Sequence, residues 1–193
     1  MPSIMIHLLA SYKMNSGAEP LFYIGTVAPD AVKTREEKDI THFRVSRNRE
    51  EDLKGLAAIT KRDNAFGEGV LLHLFLDWLW DNESFCSFRE NYTGEDWFKA
   101  YRSEIAIASS YIYHTNSWCE DVWQKMLACP KENYGKAPGV SDQELREFLK
   151  RNHKWHMDNY SGYSKIYSPS FVEGFTDRAV KKYTIWRNLN KGA

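Results

Sequence analysis

The sequence predicts an all-α fold, a multi-helix bundle, and three observations carry that prediction. Residues 65–82, AFGEGVLLHLFLDWLWDN, contain an apolar run without a polar face, and a helix of that kind belongs inside a bundle. Helix-start signals recur: Ser141-Asp142-Gln143-Glu144 is a capping box, Thr93-Gly94-Glu95-Asp96 resembles one, and Ser168-Pro169 places proline in a first turn. No stretch alternates persuasively enough to be a strand, and no repeat or linker divides the chain, so one helical domain over residues 1–193 is expected.

Taken in order, Ile4, Leu8 and Tyr12, with Met5 and Leu9 beside them, suit a short amphipathic helix that brings His7 near its buried stripe. Asn15-Ser16-Gly17 stops it. Residues 19–27 form a second apolar stretch ending at Pro29, which pushes Ala28 out of helical geometry and leaves Asp30 at a break, placed to turn inward. Residues 33–48 read as a charged, irregular loop in which Ile40-Thr41-His42-Phe43 sets an imidazole between apolar neighbours. Residues 49–61 read as a surface helix with Leu53, Leu56, Ala57 and Ile59 inward. Gly67 and Gly69 open the central helix and permit close approach of a neighbouring backbone.

After Asn82 the chain is expected to break. A long helix over about 96–114 would bury Trp97, Tyr101, Ile105, Ala108 and Ile112, and another over 118–129 would end at Pro130. The helix opened by Ser141 runs through Leu145, Phe148 and Leu149 toward His153 and His156, which read as a solvated helix end among Lys150, Arg151 and Lys154. The last helix runs over 168–189.

Composition narrows the function classes. Lys plus Arg and Asp plus Glu both count 26 in 193 residues, so no overall field draws the chain to nucleic acid or an anionic surface. Cys86, Cys119 and Cys129 form no C-x-x-C pair and leave an odd thiol, the usage of a reducing compartment. The N-terminal apolar run lacks a basic leader, and 70–80 falls short of the ~20 residues of a membrane span. A soluble, cytoplasmic protein is expected.

His73 and Asp77 lie one helical turn apart and share a side of their helix. An ionised Asp77 in so apolar a setting needs a partner, either His73 itself or a metal ion held by both. With His7, Asp30 and His42, the set of three imidazoles and two carboxylates suits zinc, and manganese or iron is chemically acceptable. No G-x-S-x-G or P-loop sequence offers another chemistry, and an HD-type phosphohydrolase would need the adjacent His-Asp pair that this chain lacks. A helical protein with a non-catalytic metal site or an internal polar network, serving stability or interaction, is the remaining alternative.

The order His7, Y-I-G-T-V-A-P-D ending at Asp30, T-H-F at His42, and L-L-H-L-F-L-D-W around His73 and Asp77 resembles the zinc-dependent phospholipase C family of bacteria. The resemblance covers about residues 1–85. It implies a helical fold shared with nucleases of the P1 type, a zinc cluster and hydrolysis of a phosphoester. It further implies that Asp30, His42, His73 and Asp77 bind one zinc, with Asp77 bridging to a second ion that His7 also binds. Asp30 is then the carboxylate that orients or deprotonates the attacking water. The family's N-terminal tryptophan ligand and its H-x-x-x-E pair have no counterpart here, so one or two ions are expected, with His114 a candidate for an additional ligand. The substrate expected is a small phosphoester, phospholipid-like or soluble. Tyr23, Phe66, Trp78 and Trp80 could frame its pocket or simply fill the core, and Arg178, Lys181 and Lys182 could meet phosphate or simply face water.

Overall fold

Helix α5, Ala65–Trp80, is buried along nearly its whole length, and the rest of the chain wraps it. The computed structural model describes residues 2–190, among which there is no strand, only an isolated bridge between Ala137 and Val140. Before α5 come α1 (Ile4–Met14), α2 (Pro20–Val27), a 3-10 turn (Ala28–Ala31), α3 (Arg35–Thr41) and α4 (Arg49–Ile59). After it come a π turn (Asp81–Phe85), α6 (Cys86–Asn91), α7 (Trp97–Thr115), α8 (Trp118–Ala128), α9 (Asp142–Asp158) and α10 (Pro169–Leu189). The protein is therefore all-helical over the described residues. None of those helices is long and apolar enough to cross a membrane.

Leu71, Leu72, Leu76 and Trp80 of α5 are fully buried, each worth about 1.5–3 kcal/mol relative to exposure. Tyr23, Phe66 and Trp80 belong to this core, and Trp78 packs partly buried against it. The tightest helix crossing is α2 on α5. A Cβ on Gly25 would collide with the Phe66 carbonyl, and one on Gly69 would meet the Phe22 carbonyl and lie 2.7 Å from the Thr26 nitrogen. Only hydrogen fits at either position. The N-terminal part of α5 is tied to α10 by Glu68, which accepts from Arg187 Nε at 3.0 Å, while Arg187 Nη1 donates to the Ala57 carbonyl at 2.9 Å.

Several sequence expectations need correction. Residues 33–48 are not simply a loop: Thr34 and Glu37 form a reciprocal capping box that starts α3, so His42 sits at a helix C-terminus. Ile59 is 77% exposed, because α4 ends there and turns away from the core. No break follows Asn82; the helical path continues through the π turn into α6. The cap of α7 is Asp96, whose carboxylate accepts from the Lys99 amide, and not Thr93, and Trp97 is half-buried. His153 and His156 are buried, not solvated, because α9 turns Leu145, Leu149, His153 and His156 to one inner face. The helices from Ile4, Ser141 and Ser168 begin where their signals place them, with Ser141 and Ser168 accepting from the Glu144 and Phe171 amides.

Candidate metal centre

Four separate pieces of chain bring His7, Asp30, His42, His73 and Asp77 to one place. α1 is buried from Ile4 to Ser11 and carries His7 inside with it. The 3-10 turn after α2 presents Asp30, the last turn of α3 presents His42, and α5 presents His73 and Asp77. His7, Asp30 and His73 have ligand atoms within 4.8 Å of one another, and so do His42, His73 and Asp77.

The rings are oriented from behind. His42 Nδ1 lies 2.8 Å from the Lys38 carbonyl and 2.9 Å from Thr41 Oγ1, while His73 Nδ1 lies 2.7 Å from the Thr26 carbonyl. Thr26 is among the last residues of α2, whose final carbonyls have no partner within the helix. A carbonyl only accepts, so Nδ1 carries the hydrogen in both rings and each neutral ring keeps a lone pair on Nε2. Those two Nε2 atoms stand 3.0 Å apart. Two lone pairs facing at that distance repel unless a proton or a cation lies between them.

The carboxylates close around the same point. His42 Nε2 is 3.2 Å from Asp30 Oδ1 and 3.3 Å from Asp77 Oδ2, and His73 Nε2 is 3.7 Å from Asp30 Oδ1. Ligands bonded to zinc at ~2.0–2.1 Å in a tetrahedron are separated by about 3.3–3.4 Å, so these spacings are those of a ligand shell. His7 stacks on His73 with ring centroids 4.0 Å apart, and its Nε2 reaches 3.3 Å from Asp77 Oδ1. Neither nitrogen of His7 nor Asp77 Oδ1 makes a hydrogen bond, although all are buried. Buried polar atoms are seldom left so, and a divalent cation between them would satisfy His7 Nε2 and Asp77 Oδ1. The donor set fits zinc.

Burial alone would raise the Asp30 and Asp77 carboxyls. The Lys38 ammonium leads the groups that outweigh it at Asp30, positive charge shared among the surrounding imidazoles does so at Asp77, and both carboxyls are held well below the usual range. Burial, reinforced by His7, keeps His73 well below the usual imidazole value and hence neutral. Ionised carboxylates and a neutral imidazole are the states that bind a metal.

His114, the remaining candidate, does not join this group. Its Nε2 lies 2.8 Å from the His156 carbonyl and 3.1 Å from that of Asn159, so it fastens the end of α9. Lys182 pairs with Glu83 and so does not stand free for phosphate.

Sequence reasoning missed three basic neighbours, Lys38, Arg44 and Arg49. Lys38 Nζ is 2.7 Å from Asp30 Oδ1, Arg44 Nη2 is 3.3 Å from Asp77 Oδ2, and Asp81 joins Arg44 (3.0 Å) to Arg49 (2.8 Å). The capping box at Thr34 was the available signal, since a helix through 35–41 puts Lys38 one turn before His42.

A cleft of ≈ 570 Å³ between α7 and α9 opens onto the centre, with Asp30 and Lys38 in its lining. The side chains of His7, His42, His73 and Asp77 are fully buried, whereas that of Asp30 is 11% exposed. Asp30 is therefore where solvent meets the group.

No protein-family model, no curated protein and no solved structure matches the chain.

Proposed function

We propose that this chain is a metal-dependent hydrolase of phosphoesters, with a zinc-type site at the floor of the α7/α9 cleft. One observation carries the reading: two imidazole lone pairs and two ionised carboxylates converge on one point, and that point adjoins an open cleft. The motif order shared with the zinc-dependent phospholipase C family and the all-helical architecture support it, and a phospholipase C or P1-nuclease type of fold belongs to the same proposal.

His42, His73, Asp30 and Asp77 would hold one ion, and His7 with the second oxygen of Asp77 could hold another. When bound, such a cation polarises a phosphoryl oxygen and brings the pKa of water from 15.7 toward ~7. Asp30, at the solvent edge, positions the attacking water. The Lys38 ammonium keeps that carboxylate ionised, which suits it to accept a hydrogen bond from water more than to hold a proton. Lys38 also lines the cleft, where the ammonium hydrogens not held by Asp30 can donate to a phosphate oxygen. The main-chain carbonyls behind His42 and His73 fix both rings, so neither has to reorient as substrate enters.

Elemental analysis of the purified protein, followed by hydrolysis of bis(p-nitrophenyl) phosphate and p-nitrophenyl phosphate with and without chelator, tests this. Metal near one or two equivalents and chelator-sensitive turnover are the expected results. The depth of the centre favours one competing reading, a metal kept for stability alone. In that case chelation lowers the melting temperature while neither ester is turned over.

A further inference from the structure

The walls of the cleft differ in chemistry. On α7, Lys99, Arg102, Ser103 and Ala106 line it, at spacings that put them on one helix face. Lys99 and Arg102 are exposed, and among the described residues neither side chain has a carboxylate within ion-pair distance or a hydrogen-bond acceptor. The small side chains Ser103 and Ala106 leave room beside them. On α9, Phe148 and Trp155 form the opposite, aromatic wall. Asp30 is the sole acid in the lining, and Lys38 already neutralises it.

Charge and shape therefore divide the cleft into parts. A phosphoester group at the Asp30 end has the Lys38 ammonium and the metal-type ligands. An organic body fits against Phe148 and Trp155. Two further cations remain, and from Lys99 to Ser109 α7 rises about 15 Å, more than a single phosphate requires. Two unpaired cations on one wall of a cleft raise the local potential and attract anions, even where water reaches them. We propose that Lys99 and Arg102 form a second anion site, and that the substrate is a small phosphoester carrying a second phosphate or carboxylate on its organic part. This rests on the hydrolase reading of the same cleft and narrows it: a substrate whose second group is neutral or cationic leaves both side chains without a partner.

The test uses the zinc-loaded full chain and titration calorimetry with propyl phosphate, propane-1,3-diyl bisphosphate and phosphocholine. The bisphosphate is expected to bind at least about tenfold more tightly than propyl phosphate, the scale of one charge-assisted contact, and phosphocholine no more tightly than propyl phosphate. In the Lys99→Ala/Arg102→Ala double variant that ratio falls to about one. Both side chains are exposed, so the variant keeps its fold, and an unchanged melting temperature checks this. Equal affinities in the wild type, a preference for phosphocholine, or a ratio that survives the double substitution overturns the second anion site while leaving the hydrolase reading intact. Failure of zinc-loaded wild type to bind propyl phosphate at all overturns both.

Discussion

His42 Nε2 and His73 Nε2 face each other at 3.0 Å, and a main-chain carbonyl behind each ring holds the hydrogen on Nδ1. The pair is thus built to share something positive. Replacing His73 or Asp77 by alanine is expected to abolish tight metal binding, read as metal per chain after dialysis. His153→Ala is expected to leave it unchanged, because His153 pairs with Glu120 at 3.0 Å and lies outside the ligand set. Metal retained in the first two variants would remove the ligand assignment.

The α2/α5 crossing links packing to the centre. Gly69→Ala forces α2 away from α5, with a cost of about 3 kcal/mol in urea unfolding, at the upper end for overpacking. The same shift displaces the Thr26 carbonyl that orients His73, so metal affinity should fall about 10–100-fold. Full affinity in a destabilised Gly69→Ala protein would show that the carbonyl does not matter.

Thr34 caps α3, the helix that delivers Lys38 and His42. Thr34→Ala removes the hydrogen bond to the Glu37 amide and should cost about 1 kcal/mol. Since the loosened helix ends at a ligand, metal dissociation should accelerate in a stopped-flow chelator assay. Thr184→Ala, on the exposed face of α10, is the control and should change neither quantity.

His156 gives a pH signature. Its burial, with His114 and His153 nearby, outweighs the Asn152 carbonyl and depresses the imidazole from 6.5 to about 4. The unfolded chain therefore binds the extra proton first. Stability is fully present above pH 6.5 and is lost as pH falls toward 4, by about 3 kcal/mol from this group. His73, also depressed, acts in the same direction, so the comparison must be made between wild type and His156→Gln. Urea unfolding at pH 7 and pH 5 should show a smaller difference in the variant; an equal difference would assign the effect elsewhere.

Much of this architecture is legible in the sequence, and the failures have definite causes. His7, His73 and Asp77 stand out because polar groups within apolar runs need partners, Asp30 because a break follows a buried stretch, and His42 because it lies between apolar neighbours in a polar segment; motif order joins them. α3 escapes notice because it has almost no buried face, Ile40 being 61% exposed, so no periodicity marks it and only the Thr34/Glu37 cap does. His153 and His156 mislead because Lys150, Arg151 and Lys154 share their helix. The stripe Leu145, Leu149, His153 and His156, spaced four, four and three, was the better guide. His114 looks like a ligand from its place at the end of an apolar helix, but its direction depends on where α9 ends. Likewise, nothing local marks Lys99 and Arg102, which gain meaning only when α9 packs opposite them to make a cleft.

Every residue of the ligand set precedes position 78, whereas both facing walls of the cleft come from α7 and α9. The polar cluster and the walls of the cleft beside it are thus inherited from different stretches of the gene product. A change confined to the cleft-facing positions of α7 and α9 would re-dress the approach to the polar cluster while leaving its five members in place.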